Sequence, residues 1–349
     1  MGANPNLGGE PVSEKNRFDI ARLDAWMAAH VAGYAGPLEV RQFAGGQSNP
    51  TFLLITPGRP YVMRRKPLGK LLASAHAVDR EFRAIRALGP TGFPVPPAYG
   101  LCTDDSVIGS MFYVMGMVEG RIFRDNTLPE CAPAERHALY LSMVRTLADL
   151  HNIDPAAVGL GDFGRPGNYM TRQIERWTKQ YRASETKTHE DMERLLDWLP
   201  RTVPAESRTT IVHGDFKVDN TCFHPTEPKV AAVLDWELST LGEPLCDLTY
   251  LLMNWVNGPI SEIEDLPAYG IPALQEVVDL YCQLTGRDGL PELDWYFSFN
   301  MFRLAAILQG IIARVRDGTA NAASAESFEE RLPLLAAAAW KFAQRAGAA

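Results

Sequence analysis

The sequence predicts an α+β protein in which a small antiparallel-β lobe precedes a larger, mostly α-helical lobe. Short strand-type runs separated by turn residues fill the first third of the chain, and long helical patterns dominate after Gly120. The chain has 349 residues, of which 46% are hydrophobic, enough for two lobes with their own cores. We predict an N-terminal lobe over residues 1–118 and a C-terminal lobe over residues 119–349.

The N-terminal lobe is predicted to contain five strands and one main helix, after an amphipathic helix within Phe18–Val31 that opens the folded part. Three strand-type runs, separated by a Gly-rich segment and by Pro57-Gly58, form a meander, and the main helix ends at Gly89-Pro90. Two further strands flank Asp104-Asp105. The predicted bounds are Leu38–Ala44, Thr51–Thr56, Arg59–Lys66, Ala77–Leu88 for the helix, and Met111–Val118 for the last strand.

The C-terminal lobe is predicted to be helical, with one island of strand and loop at Thr209–Asp235. The predicted helices are Ala134–His151, Tyr169–Ser184, Glu190–Trp198, Pro244–Trp255, Ala273–Thr285, Trp295–Arg316 and Ser327–Arg345. A cleft between two such lobes is a usual place for a ligand, and we expect one there.

The charge balance excludes several partners. With 34 Lys and Arg against 42 Asp and Glu, the net charge is −8, so we expect neither a nucleic-acid nor a membrane partner.

The five cysteines are far apart without a C-x-x-C pair, which is typical of reduced, buried thiols. Residues Met1–Lys15 lack an apolar signal region, and no apolar run reaches about 18 residues. We therefore expect a cytoplasmic protein.

The central segment carries residues suited to phosphoryl transfer. Asp215 is followed five positions later by Asn220, and Asp235 ends an apolar run downstream. One carboxylate can receive a hydroxyl proton, while an amide oxygen and a second carboxylate hold a metal against phosphates. A turn at His224–Pro228 would pair the flanking runs as a hairpin and bring Asn220 near Asp235. Lys217 would reach the transferred phosphate.

The alternative interpretation of this segment is a hydrogen-bonded structural pair, since an Asp close to a His occurs by chance. The Asp-to-Asn offset, the downstream Asp and an upstream nucleotide site together favour function. The sequence contains no G-x-x-x-x-G-K-[ST] motif, which excludes a Walker-type ATPase.

A Gly-rich segment lies between the first two predicted strands. Gly45 and Gly46 allow backbone N–H groups to approach phosphates closely, and Ser48 and Asn49 follow them. We predict that this loop covers the nucleotide, although Gly-rich hairpins are often only turns.

The third predicted strand supplies a basic side chain to the same site. With a period of two, Val62, Arg64 and Lys66 share one face, so that Val62 would pack on a base and Arg64 would point to phosphates. Glu81 in the following helix is the predicted ion-pair partner of Arg64. Arg65 and Lys66 are expected to face solvent or substrate. The alternative is a solvated basic strand end beside an exposed helix Glu.

These residues resemble the aminoglycoside phosphotransferase and choline kinase branch of the protein-kinase-like fold. His213-Gly214-Asp215 with Asn220 is similar to its catalytic loop, and Leu234-Asp235-Trp236-Glu237 stands where protein kinases carry Asp-Phe-Gly. The resemblance implies a two-lobe kinase-like fold that uses ATP and Mg²⁺. Asp215 would be the base, Asn220 and Asp235 would hold metal, and Asp247 would brace the catalytic loop.

The same resemblance identifies Val114–Gly120 as the hinge between the lobes, where backbone groups of Gly116 and Val118 are expected to bind adenine. Arg64 stands in place of the usual strand Lys.

A narrower resemblance concerns the acceptor. The runs Arg64–Glu81, Leu160–Gly164 and Tyr169–Trp177 are similar to phosphotransferase domains fused to, or encoded near, acyl-CoA dehydrogenases. It implies phosphorylation of a small-molecule hydroxyl, on a hydroxyacyl-CoA or hydroxy acid, and an acyl-CoA dehydrogenase as a partner in the same pathway. The alternatives are an aminoglycoside, amino-alcohol or sugar kinase, and a non-catalytic nucleotide-binding pseudokinase. A metal hydrolase using His213 and Asp215 is a third class that lacks further clustered histidines.

A polyanionic CoA thioester would need basic residues around the acceptor. Arginines on predicted C-terminal helices are candidates, with aromatic residues as an apolar wall, but each is equally compatible with surface ion pairs or core packing. These candidates are Arg172, Arg176, Arg303 and Arg314, with Tyr169, Trp177 and Trp255.

Overall fold

The computed structural model describes residues 8–43, 49–68, 77–317 and 325–349. The chain divides into two units. The first unit comprises Met1–Ile122 and Asn220–Ser239, and the second comprises Phe123–Asp219 and Thr240–Ala349. Residues Asn220–Ser239 therefore belong to the first unit, although they lie in the later part of the chain.

The described residues contain nine strands and ten helices. The strands are β1 (Glu39–Gln42), β2 (Thr51–Ile55), β3 (Tyr61–Arg65), β4 (Ala98–Cys102), β5 (Phe112–Gly116), β6 (Thr210–Val212), β7 (Thr221–Phe223), β8 (Val230–Val233) and β9 (Thr240–Gly242). The helices are α1 (Ile20–His30), α2 (Val78–Leu88), α3 (Pro133–Asn152), α4 (Tyr169–Ser184), α5 (Glu190–Trp198), α6 (Pro244–Val256), α7 (Leu266–Tyr269), α8 (Leu274–Thr285), α9 (Leu293–Arg316) and α10 (Ala325–Arg345).

The first unit is built on an antiparallel sheet with the strand order β1-β2-β3-β5-β4. Strand β3 lies at the centre, between β2 and β5. Successive side chains of a strand point to opposite faces, so Tyr61 and Met63 join the core with α1 while Arg64 faces the other side. The predicted α+β class, with an antiparallel sheet of five strands and one main helix after the third strand, is confirmed.

Arg65 corrects the prediction that it faces solvent or substrate. Its side chain is fully buried, on the same face of β3 as Tyr61 and Met63. The guanidinium lies 5.4 Å from the centroids of both the Phe18 and Phe52 rings, and Nη2 donates to Asn16 Oδ1 at 3.2 Å. The prediction was wrong because the N-terminal segment covers this face of the sheet. Burial lowers the pKa of Arg65.

We expect Arg65→Met to leave the free energy of unfolding unchanged or to raise it by about 1 kcal/mol. The reason is that, among the residues described, Arg65 has no carboxylate partner, and Nε and Nη1 make no hydrogen bond. Methionine would keep the contacts with the two rings and remove a desolvated charge. Urea unfolding of the wild type and the variant measures the difference; a loss of about 2 kcal/mol or more would contradict this account.

The hairpin predicted around the turn at His224–Pro228 is present as β7 and β8. Thr221 pairs with Val233, and the Leu234 N–H donates to the Asn220 carbonyl at 2.8 Å. Asn220 therefore lies beside the residue that precedes Asp235, as the predicted hairpin requires. The Val233 N–H donates to the Pro94 carbonyl, which ties the hairpin to the rest of the first unit.

The second unit is mostly helical, with the short antiparallel pair β6–β9 in front of α6. Helix α9 packs against α4, α6 and α10. By length and apolar composition α9 is capable of crossing a membrane, but 72% of its most apolar stretch is buried in the fold, as in the core helix of a globular protein. All five cysteines are buried and free, as predicted.

Candidate functional site

Arg64 is the centre of a cluster of charged groups in the first unit. Its Nε lies 3.1 Å from Glu81 Oε2, and its Nη2 lies 2.8 Å from Asp235 Oδ1. Strand β3 and helix α2 bring the first two residues together, and the segment after β8 brings the third. The structure thus contains the Arg64–Glu81 ion pair that the sequence predicts. It also pairs Arg64 with the predicted metal ligand Asp235.

Glu81 is the most deeply buried member of this cluster, with a side chain that is 0% exposed. Its Oε1 accepts a hydrogen bond from Asn49 Nδ2 at 2.7 Å, and its Oε2 accepts one from the Tyr113 hydroxyl at 3.0 Å. Burial raises the pKa of Glu81 to about 7, although the Arg64 guanidinium acts in the opposite direction. The Asn49 amide, the Tyr113 hydroxyl and the Arg64 guanidinium hold the Glu81 carboxylate in place.

Glu237 adds a third carboxylate that the site prediction missed. One oxygen each from Glu81, Asp235 and Glu237 lies within 4.8 Å of the others, and Asn49 Nδ2 lies 3.4 Å from Glu237 Oε2. Oxygen donors are the ligands that Mg²⁺ prefers, so the Asp235 and Glu237 carboxylates fit a magnesium ion, whereas both oxygens of Glu81 already accept hydrogen bonds. The signal in the sequence was the spacing Asp-x-Glu after β8.

Asp235 has an uncommon backbone conformation. Its φ of 63° lies in the left-handed region, which a non-glycine residue seldom adopts, although Asp tolerates it better than most. The following residue, Trp236, is buried, and its Nε1 donates to the Val233 carbonyl at 3.0 Å. The turn that carries the Asp235 and Glu237 carboxylates is therefore anchored by a core indole.

The other residues predicted to bind the nucleotide are placed as follows. Val62 is buried in β3, and Asn49 is buried at the start of the segment leading into β2. Gly116 ends β5, and its N–H already donates to the Pro97 carbonyl at 2.8 Å, while Val118 is half-buried just beyond. Gly45, Gly46 and Ser48 lie outside the described residues.

The loop that carries Asp215 is anchored in the second unit by Asp247. The carboxylate of Asp247, on α6, accepts hydrogen bonds from the backbone N–H groups of His213 and Gly214, the latter at 2.8 Å. The Asp215 N–H donates to His213 Nδ1 at 3.2 Å. Gly214 has a φ of 83°, which favours glycine. The bracing role that the resemblance implies for Asp247 matches these contacts.

Asp215 itself is accessible, with a side chain that is 22% exposed. Lys217 Nζ lies 3.4 Å from one carboxylate oxygen of Asp215 and 3.4 Å from one of Asp219. Burial lowers the pKa of Lys217, but the two carboxylates outweigh it and raise the pKa above its ordinary value. Lys217 is therefore a cation beside a carboxylate that reacting molecules can reach.

His151 forms a buried connection behind this loop that the sequence analysis did not identify. Its Nδ1 lies 2.8 Å from the Tyr281 hydroxyl, and its Nε2 lies 3.6 Å from Asp247 Oδ2. Burial alone would raise the pKa of Asp247, but His151 and the backbone N–H of Gly214 hold it below its ordinary value of 3.8. The signal in the sequence was a His at the end of a long helical pattern.

We expect His151 to make the protein less stable in acid. Burial, together with Arg208 and Arg287, lowers the pKa of His151 below its ordinary value of 6.5 despite Asp247. The folded state keeps it neutral, while the unfolded chain takes up a proton below about pH 6.5, so this stabilisation is present above that pH and is lost as pH falls.

The experiment that tests this is urea unfolding of the wild type and of His151→Gln, at pH values above and below about 6.5. The difference in the free energy of unfolding should shrink by up to about 1.4 kcal/mol per pH unit below the unfolded-state pKa. A difference that is independent of pH would contradict the assignment of a neutral, buried His151.

The arginines considered for the acceptor occupy different environments. Arg303 is buried, whereas Arg176 and Arg314 are exposed. Arg172 donates to the carbonyls of Arg165 and Gly167, so its guanidinium is used by the loop before α4.

The aromatic residues considered as a wall for the acceptor are buried: Tyr169, Trp177 and Trp255. Trp255 packs against Tyr140 and donates to the Pro272 carbonyl, which makes it a core residue. Arg172 and Trp255 thus have structural roles in a loop and in the core, as the alternative to acceptor binding predicts.

The model of the phosphotransferase enzyme family matches residues 39–280. The chain is 43% identical to acyl-CoA dehydrogenase family member 10 of Mus musculus, over 89% of this chain and 30% of that protein. It is 42% identical to acyl-CoA dehydrogenase family member 11 of Gallus gallus, over 94% of this chain and 44% of that protein. The chain thus spans less than half of the length of these relatives.

A crystal structure from Ralstonia eutropha JMP134, of a protein whose name assigns it to the aminoglycoside phosphotransferases, is 50% identical to this chain. It has a TM-score of 0.87 and covers 94% of this chain and 99% of its own. A spectinomycin phosphotransferase with ADP and spectinomycin has a TM-score of 0.60 at 11% identity, over 93% of this chain and 98% of its own. The latter likeness shows the fold alone.

Proposed function

Because this chain belongs to the phosphotransferase enzyme family, we propose that it transfers the γ-phosphoryl group of ATP, with Mg²⁺, to a hydroxyl group of a small molecule. The observation that carries the proposal is the environment of Asp215. Its carboxylate is accessible, lies beside the Lys217 ammonium, and stands on a loop whose backbone is fixed by Asp247. Such a carboxylate is suited to accept the proton of an attacking hydroxyl.

The cluster around Arg64 supplies the complementary chemistry in this proposal. Asp235, with Glu237 as an addition, would hold Mg²⁺, together with Asn220, whose carbonyl accepts a hydrogen bond from the N–H of Leu234 beside Asp235. The Arg64 guanidinium would neutralise phosphate oxygens. Bound Mg²⁺ would offset the negative charge of the nucleotide phosphates. Glu81 orients Arg64 through the ion pair. The nucleotides in solved structures of the same fold, ADP in one and GDP in another, support nucleotide use.

For the acceptor we propose a hydroxyacyl-CoA or hydroxy acid. The support is the match to proteins named as acyl-CoA dehydrogenase family members, at 43% and 42% identity over most of this chain. On the same ground, an acyl-CoA dehydrogenase is the proposed partner in the pathway.

The experiment is a panel assay of ADP release with Mg-ATP. Straight-chain hydroxyacyl-CoA thioesters and free hydroxy acids, of different chain length and hydroxyl position, are each compared with the acyl-CoA or acid of the same length that lacks the hydroxyl. We expect ADP release that depends on the hydroxyl. Equal ADP release with both members of every pair would contradict the proposed acceptor.

The second candidate is an aminoglycoside or related amino-alcohol or sugar kinase. The observation in its favour is the name of the Ralstonia eutropha structure that is 50% identical to this chain. Aminoglycosides, choline and simple sugars belong in the same panel, where product from one of them alone would establish this alternative. Thermal stabilisation by Mg-ATP without any product would favour a nucleotide-binding pseudokinase.

A further inference from the structure

Both polar groups of the peptide that joins Gly214 to Asp215 are bonded within the second unit. The Gly214 carbonyl accepts a hydrogen bond from Arg303 Nη2 at 2.6 Å. The N–H of the same peptide, on Asp215, donates to His213 Nδ1 at 3.2 Å. The preceding N–H, on Gly214, donates to Asp247 at 2.8 Å. The Arg303 guanidinium thus binds the carbonyl of Gly214 and the Asp247 carboxylate binds its N–H, directly before the proposed base Asp215.

Arg303 is an unusual residue at its place in the fold. It lies in the middle of α9 and is only 6% exposed. Its guanidinium carbon lies 5.0 Å from the Tyr250 ring centroid and 5.6 Å from that of Trp177, within cation–π range. No ion pair joins Arg303 to a carboxylate among the residues described by the structure. Burying a guanidinium without a carboxylate is costly. The hydrogen bond to the Gly214 carbonyl offsets part of this cost, and it is the one side-chain hydrogen bond of Arg303 among the described residues.

Tyr250 lies against the same guanidinium and close to Asp215. Its ring centroid is 5.0 Å from the Arg303 guanidinium carbon, and burial together with the Asp215 carboxylate raises the pKa of Tyr250. Arg303 contacts the loop itself through the hydrogen bond to the Gly214 carbonyl, directly before Asp215.

We propose that Arg303 is a positioning residue that fixes the Asp215 carboxylate for phosphoryl transfer, through its hydrogen bond to the Gly214 carbonyl. The inference rests on the proposed function, because it takes Asp215 as the base. A base that is displaced by about 1 Å can lose a hundredfold in rate, whereas nucleotide affinity does not depend on it. Loss of Arg303 should therefore lower kcat and leave the Kd for Mg-ATP unchanged.

The test compares Arg303→Met with the matched control Arg136→Met. Arg136 is also a buried arginine of the second unit, over the Tyr269 ring, and it donates to the carbonyls of Leu128 and Cys131, away from the catalytic loop. We expect Arg303→Met to lower kcat by about ten- to a hundredfold relative to Arg136→Met, with equal Kd for Mg-ATP. Equal kcat in the two variants would overturn the inference.

A rescue measurement separates positioning from a loss of fold. Arg303→Ala leaves a cavity beside Tyr250 and Trp177, and guanidinium ion at low millimolar concentration should restore part of its kcat. The same ion should not raise the kcat of Arg136→Ala. Equal response of both alanine variants would count against the proposed role.

Hydrogen–deuterium exchange over residues 210–219 tests the inference without an acceptor. Faster exchange of the Gly214 and Asp215 amides is expected in Arg303→Met and not in Arg136→Met. Unchanged exchange would overturn the positioning role. If the wild type transfers no phosphoryl group to any acceptor, the proposed function fails, and this exchange experiment still decides whether Arg303 holds the loop.

Discussion

Replacing Asp215 with Asn should lower kcat for phosphoryl transfer by about 10²- to 10⁴-fold while leaving the Kd for Mg-ATP nearly unchanged. Asparagine has the shape of the wild-type side chain but accepts no proton from the attacking hydroxyl. The loop should keep its conformation, because Asp247 and Arg303 hold its backbone rather than the Asp215 side chain. Steady-state turnover and nucleotide binding, measured separately, provide the two values.

Asp219→Asn is the matched control for this experiment. Asp219 lies at the same 3.4 Å distance from Lys217 Nζ as Asp215, with a side chain that is 34% exposed. Removing its charge alters the electrostatics of Lys217 without removing the proposed base, so we expect a loss of less than about tenfold. Equal losses in the two variants would show that the charge around Lys217, and not a base at Asp215, explains the effect.

The second large effect is expected from Arg64→Met, which should lower the free energy of unfolding by about 3–5 kcal/mol. The variant leaves Glu81 as a fully buried carboxylate without its cation. It should also weaken Mg-ATP binding, because the guanidinium is the proposed phosphate partner. The double variant Arg64→Met/Glu81→Gln should recover most of the stability, since Gln carries no charge. A double variant as unstable as the single one would contradict this account.

The loss of stability caused by Arg64→Met should depend on pH. The pKa of Glu81, about 7 in the wild type against an ordinary 4.5, should rise further when Arg64 is absent. A carboxyl whose folded-state pKa exceeds its unfolded value stabilises the fold at low pH, and this contribution is lost as pH rises through the folded-state pKa. The loss caused by Arg64→Met should thus be greater at about pH 8.5 than at about pH 6, in denaturant unfolding at both values.

Much of the fold could be predicted because its elements have strong local signals. The Tyr169–Ser184 helix has the predicted bounds, and the β7–β8 hairpin follows from a Pro-containing turn between two short runs. The Arg64–Glu81 pair was predictable from the period of two along β3. Each of these depends on residues close in sequence or on one strand's alternation.

The remaining features depend on contacts between distant segments. Arg65 alternates with Arg64 as a strand residue should, but only the packing of Phe18 and Asn16 on the sheet buries it. Arg303 lies 89 positions from Gly214 in the chain. The hydrophobic periodicity of α9 would be the same whether Arg303 were a surface residue or a residue that anchors the loop. Sequence periodicity places such a side chain on a helix face without showing which segment covers that face.

The central claim is that the γ-phosphoryl group of ATP is transferred to a hydroxyl of the acceptor. The direct measurement uses ATP labelled with ¹⁸O in the γ-phosphoryl group, followed by mass spectrometry of the acceptor after incubation with Mg²⁺ and the protein. We predict an acceptor that carries the labelled phosphoryl group, formed by the wild type and not by Asp215→Asn. Label recovered only in inorganic phosphate, or the same yield from both proteins, would contradict the claim.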